Sequence, residues 1–340
     1  MSAEKYIAVS IRTLALEEAL GFDLFQLEEG KFRLYRHRSI PFKRSDIDKL
    51  IEADRDTLYV PKNQRGAFYD HRKKHLKQTL TDPGIPVEEK MSALTESSAR
   101  ILAEVFNSPE SATEIKALYE HSESHVVFAL LGDESRMVMQ STQAENCPLA
   151  LSHAISVCNL SILLGIQCGI EDQDELQDIG AGALLHEIGK SAIDAKFYLR
   201  KSGGPKITHT RLSNYPAIGK ELLEKSNVLR GRALRPVLEH QERLDGSGFP
   251  NGLKSKDISI HARIVAICDH FDECMHLAPQ SNKTSAFVTL KAMKDSRGKF
   301  DTEALCQFIR MLGGVQANES PTPAKPAGST SVSASGNPSS

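Results

Sequence analysis

The chain has 340 residues, 40% of them hydrophobic, which is enough for two ordinary cores and a tail. Its net charge of −2 disfavours a general nucleic-acid binder. No unbroken apolar run reaches the ~18 residues of a membrane span, and the N-terminus lacks a basic-then-apolar leader. The six cysteines show no paired spacing, which fits reduced core thiols in a cytoplasmic protein.

Residues 1–82 read as a small α+β unit. Tyr6 to Thr13 has strand character. Phe22 and Leu24, then Phe32 and Leu34, alternate with their neighbours on either side of Glu28-Glu29-Gly30, which predicts a β-hairpin. Ser45 is placed to cap a short helix with apolar face Ile47, Leu50 and Ile51. Thr57 to Val60 reads as a strand ended by Pro61, and Gln64 to Leu80 as a helix. Two basic clusters stand out: Arg33, Arg36, Arg38, Lys43 and Arg44, then Arg72, Lys73 and Lys74. Solvated faces are their simplest explanation. A phosphate-bearing ligand or an acidic partner is the alternative.

Asp82-Pro83-Gly84-Ile85-Pro86 is a break and a hinge. From 83 to 142, Val87, Met91, Leu94, Ile101, Leu102 and Val105 recur at helical spacing, as expected of connecting helices. From 143 to 313 helix follows helix. The apolar stretch from Ala154 to Ile170 reads as a buried helix, and Asp301 is placed to cap the last one. From 314 to 340 the chain turns to Pro, Ser, Ala, Gly and Thr, and a disordered tail is expected. The fold class is therefore mainly α: an all-helical domain preceded by a small α+β domain and followed by a disordered tail.

Three stretches carry chemistry. Leu184-Leu185-His186-Glu187-Ile188-Gly189-Lys190 sets an imidazole beside a carboxylate at the end of an apolar helical run. Glu239 to Pro250 includes His240-Gln241 and the loop Asp245-Gly246-Ser247-Gly248-Phe249-Pro250. Arg263 to Asp269 ends a third run. Together with His153, these segments resemble the HD-GYP family, a branch of the HD metal-dependent phosphohydrolases that hydrolyses cyclic di-GMP. The resemblance spans roughly residues 143–312.

That resemblance implies a metal held by His153, His186, Glu187 and Asp269, with Lys190 in support beside the doublet. A divalent cation (Fe, Mn, Mg or Zn) takes such nitrogens and oxygens at about 2.0–2.2 Å and activates water. Glu187 stands where the family has Asp, so its oxygens are displaced by about an ångström against a tolerance near 0.2 Å. Of the family's further ligands His240 remains. Tyr215, Gln241 and Leu149 occupy positions where the family has His, His and an acid. A phenol with pKa near 10 and a neutral amide are poor substitutes. The Arg and Lys that anchor substrate in the family correspond here to Ala278-Pro279-Gln280-Ser281. In the signature loop, Asp245, Gly246, Gly248 and Pro250 are kept, and Phe249 loses a hydroxyl.

His121, His125, His209, His261 and His276 match no ligand position and read as structural. Glu242 and Arg243 read as an ion pair bracing the loop. The resulting expectation is a degenerate HD-GYP protein of bacterial cyclic di-GMP signalling. It would bind nucleotide or a protein partner through an exposed Gly248-Phe249-Pro250 loop or its N-terminal domain, with weak or no hydrolysis. One alternative is a single-metal phosphohydrolase. The other is an interaction module whose helical domain dimerises, with no specific nucleic-acid binding.

Overall fold

The computed structural model describes residues 5–11, 14, 18–142, 147–194, 213–229, 231–277 and 285–313. The expected tail, the Ala278–Ser281 stretch, His209 and the end of the first strand at Thr13 lie outside them.

Strand β1 (Tyr6–Ser10) pairs antiparallel with β6 (Thr57–Pro61), which pairs with β3 (Leu24–Glu28), which pairs with β4 (Lys31–Arg36). The predicted hairpin is β3–β4, and its turn residues Glu29 and Gly30 both have positive φ, at 49° and 75°. That geometry matches the twist of the flanking strands. Short strands β2 (Glu18–Ala19) and β5 (Pro41–Phe42) form a separate pair. Val9, Phe22, Leu24, Leu58 and Val60 supply the buried face.

Helix α1 (Arg44–Glu52) begins ahead of the predicted cap. Lys43 is the cap position, and its amide donates to Asp46 Oδ2 at 2.8 Å. Ser45 lies inside the helix. The acid three residues into the turn reaches back to the free amide, and buried Asp46 also takes Arg36 as an ion-pair partner. Helix α2 (Arg65–Thr81) follows, as predicted.

Helices α3 (Val87–Asn107), α4 (Ala112–Ala129) and α5 (Asp133–Ser141) do more than connect. They pack against α6 (Leu149–Gln167), and α4 also packs against α7 (Gln173–Leu185). By length and composition α6 could cross a membrane, but most of it is buried. It is the central helix of the body, wrapped by α7 and, beyond the short α8 (Lys190–Ile193), α9 (Tyr215–Ser226) and α10 (Leu234–Glu239), by α11 (Ile260–Asp272). Helices α12 (Ala286–Asp295) and α13 (Thr302–Leu312) close that side. Asp301 caps α13 as predicted, accepting from the amides of Glu303 and Ala304, an interaction worth about 1 kcal/mol. One apolar cluster runs continuously from Val9 to Phe308.

No cysteine forms a disulfide among the described residues. Cys158 and Cys268 are core residues, but Cys306 is exposed. His121 and His125 are structural. Both reach Ser98 Oγ, at 2.8 and 2.9 Å, and His125 continues to Asn159 at 2.8 Å. His261 pairs with Glu175 at 2.6 Å.

Candidate metal centre

Four elements bring the site together. Helix α6 supplies His153, the end of α7 supplies His186 and Glu187, α10 is followed at once by His240 and Gln241, and α11 supplies Asp269. All but half-buried Gln241 are buried. The α7 end can approach α9 because residue 189 is glycine. A Cβ there would run into the backbone of Tyr215.

Three imidazoles are anchored in the same way. His153 Nδ1 is bonded to Asp272 Oδ2 at 2.7 Å, His186 Nδ1 to the Ala183 carbonyl at 2.6 Å, and His240 Nδ1 to the Pro236 carbonyl at 2.9 Å. A carbonyl only accepts, so Nδ1 of His186 and His240 carries the proton and Nε2 presents its lone pair. The rings stand edge to face, His153 to His186 at 5.1 Å and His186 to His240 at 4.9 Å. Asp269 Oδ1 lies between them, 3.1 Å from His153 Nε2 and 3.4 Å from His186 Nε2.

His186 Nε2 is buried and makes no hydrogen bond among the described residues. An orphaned buried nitrogen facing a carboxylate fits a metal ligand. Possible ligand atoms lie within 4.8 Å of one another in two sets: His153, His186 and Glu187, then His186, His240 and Asp269. The longer arm of Glu187 has therefore not taken its carboxylate out of reach.

Electrostatics points the same way. Burial alone would lower the pKa of His153, but its bonds to Asp269 and Asp272 outweigh burial and hold it well above the usual histidine value. Burial would raise Asp269, yet the two imidazoles hold it well below the carboxylate range. Burial also opposes ionisation of Glu187, and Lys190, His153 and His186 overcome it, lowering the value to about 2. A place that so favours a proton on His153 favours a cation there too.

Two contacts set limits. The Tyr215 hydroxyl is 2.6 Å from His240 Nε2. Burial first, then the charges of Glu187 and Asp269, push the phenol's pKa well up, so it stays protonated and donates. Burial, then His186, lowers His240 to about 3, so the neutral ring accepts. The lone pair that His240 could offer a metal is thus taken. Gln241 Nε2 donates to Asp269 Oδ2 at 3.0 Å, occupying the second oxygen of that carboxylate. Lys190 Nζ pairs with Glu187 Oε1 and lies 4.8 Å over the Tyr215 ring.

The Gly248-Phe249-Pro250 part of the signature loop is half-buried, which corrects the expectation of an exposed one. The Phe249 ring meets that of Tyr215 at 6.4 Å, and the Phe249–Pro250 peptide is cis. Gly248 is pressed against the backbone of Glu242 and Arg243, where any Cβ would clash. Gly246 has φ of 81°. Asp245 is exposed and accepts from the Ser247 amide at 2.9 Å. The predicted Glu242–Arg243 ion pair is not formed. Glu242 accepts from the amides of Asn251 and Leu253 at 2.7 and 3.0 Å, and Arg243 donates to the carbonyls of His240 and Glu242 and lies over Phe300. Each finds a backbone group to satisfy, so neither needs the other. Leu149, at the start of α6, is 40% exposed and has no ligand atom to offer.

Sequence reasoning missed Asp272. It holds His153 through Oδ2, while its Oδ1 takes Ser156 and, at 2.8 Å, His276. Its carboxyl is held at about 2: burial opposes ionisation, but the bonds to His153 and His276 prevail. Glu273 was missed as well, and burial, then Asp269, raise it to about 7. The available signal was the spacing: Asp269, Asp272, Glu273 and His276 form one polar stripe at i, i+3, i+4 and i+7. His276 is accordingly structural, but as a buttress of the centre.

Comparison with known proteins agrees with this geometry. Residues 137–304 match the family model described as HD domain. The chain is similar to a cyclic di-GMP phosphodiesterase of Pseudomonas aeruginosa, 30% identical over 164 residues, covering 47% of this chain and 39% of that protein. It is also similar to a cyclic di-GMP phosphodiesterase response regulator of Xanthomonas campestris, 32% identical over 151 residues, covering 44% and 39%. A solved Bdellovibrio bacteriovorus protein, described as HDG"Y"P, shares the fold with TM-score 0.63 at 20% identity, over 91% of this chain and all of that one. The matched segment, residues 137–304, is an HD domain. The chain spans about two fifths of the length of these two curated relatives.

Proposed function

We propose that this chain is a divergent HD-GYP protein of bacterial cyclic di-GMP signalling. It binds one divalent cation at most, and it acts by recognising a cyclic dinucleotide or a protein partner, with hydrolysis weak or lost. The observation that carries this reading is the Tyr215 hydroxyl on His240 Nε2 at 2.6 Å. It engages the ring nitrogen that a second cation would need, and Gln241 engages the free oxygen of Asp269. In-line cleavage by a two-metal clamp needs ions roughly 3.5–4 Å apart, each with its own open ligands.

His153, His186, Asp269 and Glu187 would hold the single cation. Bound there, it would lower the pKa of a coordinated water and polarise a phosphoryl oxygen. Asp272 and the Ala183 carbonyl fix the two imidazoles so that Nε2 faces inward. Lys190 orients Glu187 and offers an ammonium beside it. Half-buried Phe249 offers a ring against which a nucleobase could stack, and the buried Tyr215 ring backs it.

The test is elemental analysis together with incubation of the protein with cyclic di-GMP and Mn²⁺, Fe²⁺ or Mg²⁺. The expected result is one ion or fewer per chain, with nucleotide bound but not opened. Linear dinucleotide or GMP formed at ~1 s⁻¹ or faster would overturn the proposal. A second reading, a single-metal phosphohydrolase, is favoured by the unbonded His186 Nε2. It predicts hydrolysis of nucleotide or phosphomonoester that disappears, along with the metal, in His186→Ala.

A further inference from the structure

The two basic clusters of the N-terminal region differ in how they are neutralised. In the first, Arg33, Arg36 and Arg44 pair with Glu28, Asp46 and Asp48. In the second, Lys73 and Lys74 pair with Glu123 and Glu18. Arg72, on α2 between them and the core, forms no ion pair with a described carboxylate. Its Nη2 donates to Ser97 O and Oγ of α3 at 3.3 and 3.1 Å, and its guanidinium lies over Phe68 at 5.5 Å. A guanidinium has five N–H donors. Nε and Nη1 of Arg72 have no acceptor among the described residues.

Arg72 opens onto a cavity of about 150 Å³ between α2 and α3, also lined by His75, Thr79, Glu96, Ser97 and Arg100. One water needs about 10–15 Å³ of such space. The cavity therefore suits a phosphate with a small organic group and is too small for a cyclic dinucleotide. Burial holds the Arg72 guanidinium below its ordinary pKa; the charge of Glu104 opposes that shift more strongly than the like charge of Arg100 adds to it. Two cations held so near one another make a place where a doubly charged anion is favoured. Ser97 Oγ accepts from Arg72 and so keeps its own proton to donate. The one carboxylate on the lining, Glu96, pairs with Arg100 in an i,i+4 contact, and its side chain is 58% exposed. Such an exposed pair is weak, and Glu96 can turn to water while Arg100 takes a charge-assisted bond to phosphate.

We infer that this cavity binds a small phosphate monoester, with Arg72 and Arg100 as its charged anchors and Ser97 as a hydroxyl donor. A tetrahedral dianion uses donors arriving from several directions, where a planar carboxylate would use one fork. The site lies between α2 and α3, the two helices on either side of the Asp82–Pro86 break, and shares no residue with the metal centre.

The test is titration calorimetry of the full chain with inorganic phosphate and with a nucleoside 5′-monophosphate, ionic strength being held constant with chloride. Saturable binding of at least one is expected, weakened at least about tenfold by Arg72→Gln and by Arg100→Gln and unchanged by His186→Ala. Absence of saturation with both anions overturns the inference. So does binding that survives both arginine substitutions, or that vanishes in His186→Ala and therefore belongs to the metal centre. Arg100 is partly exposed, so its variant keeps the test decisive if Arg72→Gln does not fold.

Discussion

Two buried histidine clusters share helix α6 and use it in opposite ways. Asn159 ties α6 to His125, His121 and Ser98, and His153, six residues earlier, ties it to His186, Asp269 and Asp272. Six residues is about 9 Å along a helix. In the first cluster neutral partners surround the rings, and burial pushes His121 well down and His125 to about 4. In the second, carboxylates face the rings and hold His153 well up. Burial does not separate a structural histidine from a ligand. What separates them is whether the nitrogen left over after anchoring meets a hydroxyl or meets negative charge.

The largest effect expected is on metal content. Asp269→Asn removes the charge that faces both His153 and His186, and metal content should fall from that of the unaltered chain to near zero by elemental analysis. Ser98→Ala, in the other cluster, should leave metal content unchanged. Loss of metal in both variants would show that the clusters are not independent.

Acid should next expose the structural cluster. The folded pKa of His125 is about 4, below the unfolded value near 6.5. Between those values the unfolded chain binds more protons, so stability falls as pH drops through that window and levels off beneath it. The cost at pH 4 is on the order of 3 kcal/mol. Urea melts at pH 7 and pH 4 measure it, and His125→Gln should flatten the slope.

A smaller effect is expected at Asp272, which holds His153 through its Nδ1. Asp272→Asn should weaken metal affinity by about 10–100-fold, with the site still formed. A competitive chelator titration reads this, and an unchanged affinity would remove Asp272 from the centre. The smallest effect belongs to Tyr215→Phe. Losing one hydrogen bond costs about 1 kcal/mol in a urea melt, and metal affinity should not fall, since the hydroxyl competes for His240 and does not ligate.

Much of this fold is written locally. The Glu29-Gly30 turn, the strand from Thr57 and the Asp301 cap depend on residues a few positions apart, and each formed where the pattern put it. The start of α1 was misplaced because Ser45 and Asp46 compete for the same cap, and the acid reaches the Lys43 amide. The helices at 87–141 look like connectors in sequence because their partners, α6 and α7, come later in the chain. In the centre, the resemblance to the HD-GYP family was what named His153, His186, Glu187, His240 and Asp269. It did not name Asp272, which in sequence shows only as a member of the polar stripe that begins at Asp269, and whose role as the partner of His153 shows once α6 is laid against it.

The sequence alone determined which donors exist and on which helices they ride, because helical periodicity and capping are short-range. Only the tertiary structure decided where each lone pair goes. His153 meets Asp269 and Asp272 across 116 and 119 residues, and Tyr215 meets His240 across 25. Contacts at that separation exist only once the helices have packed. It was packing that left His186 Nε2 open and closed His240.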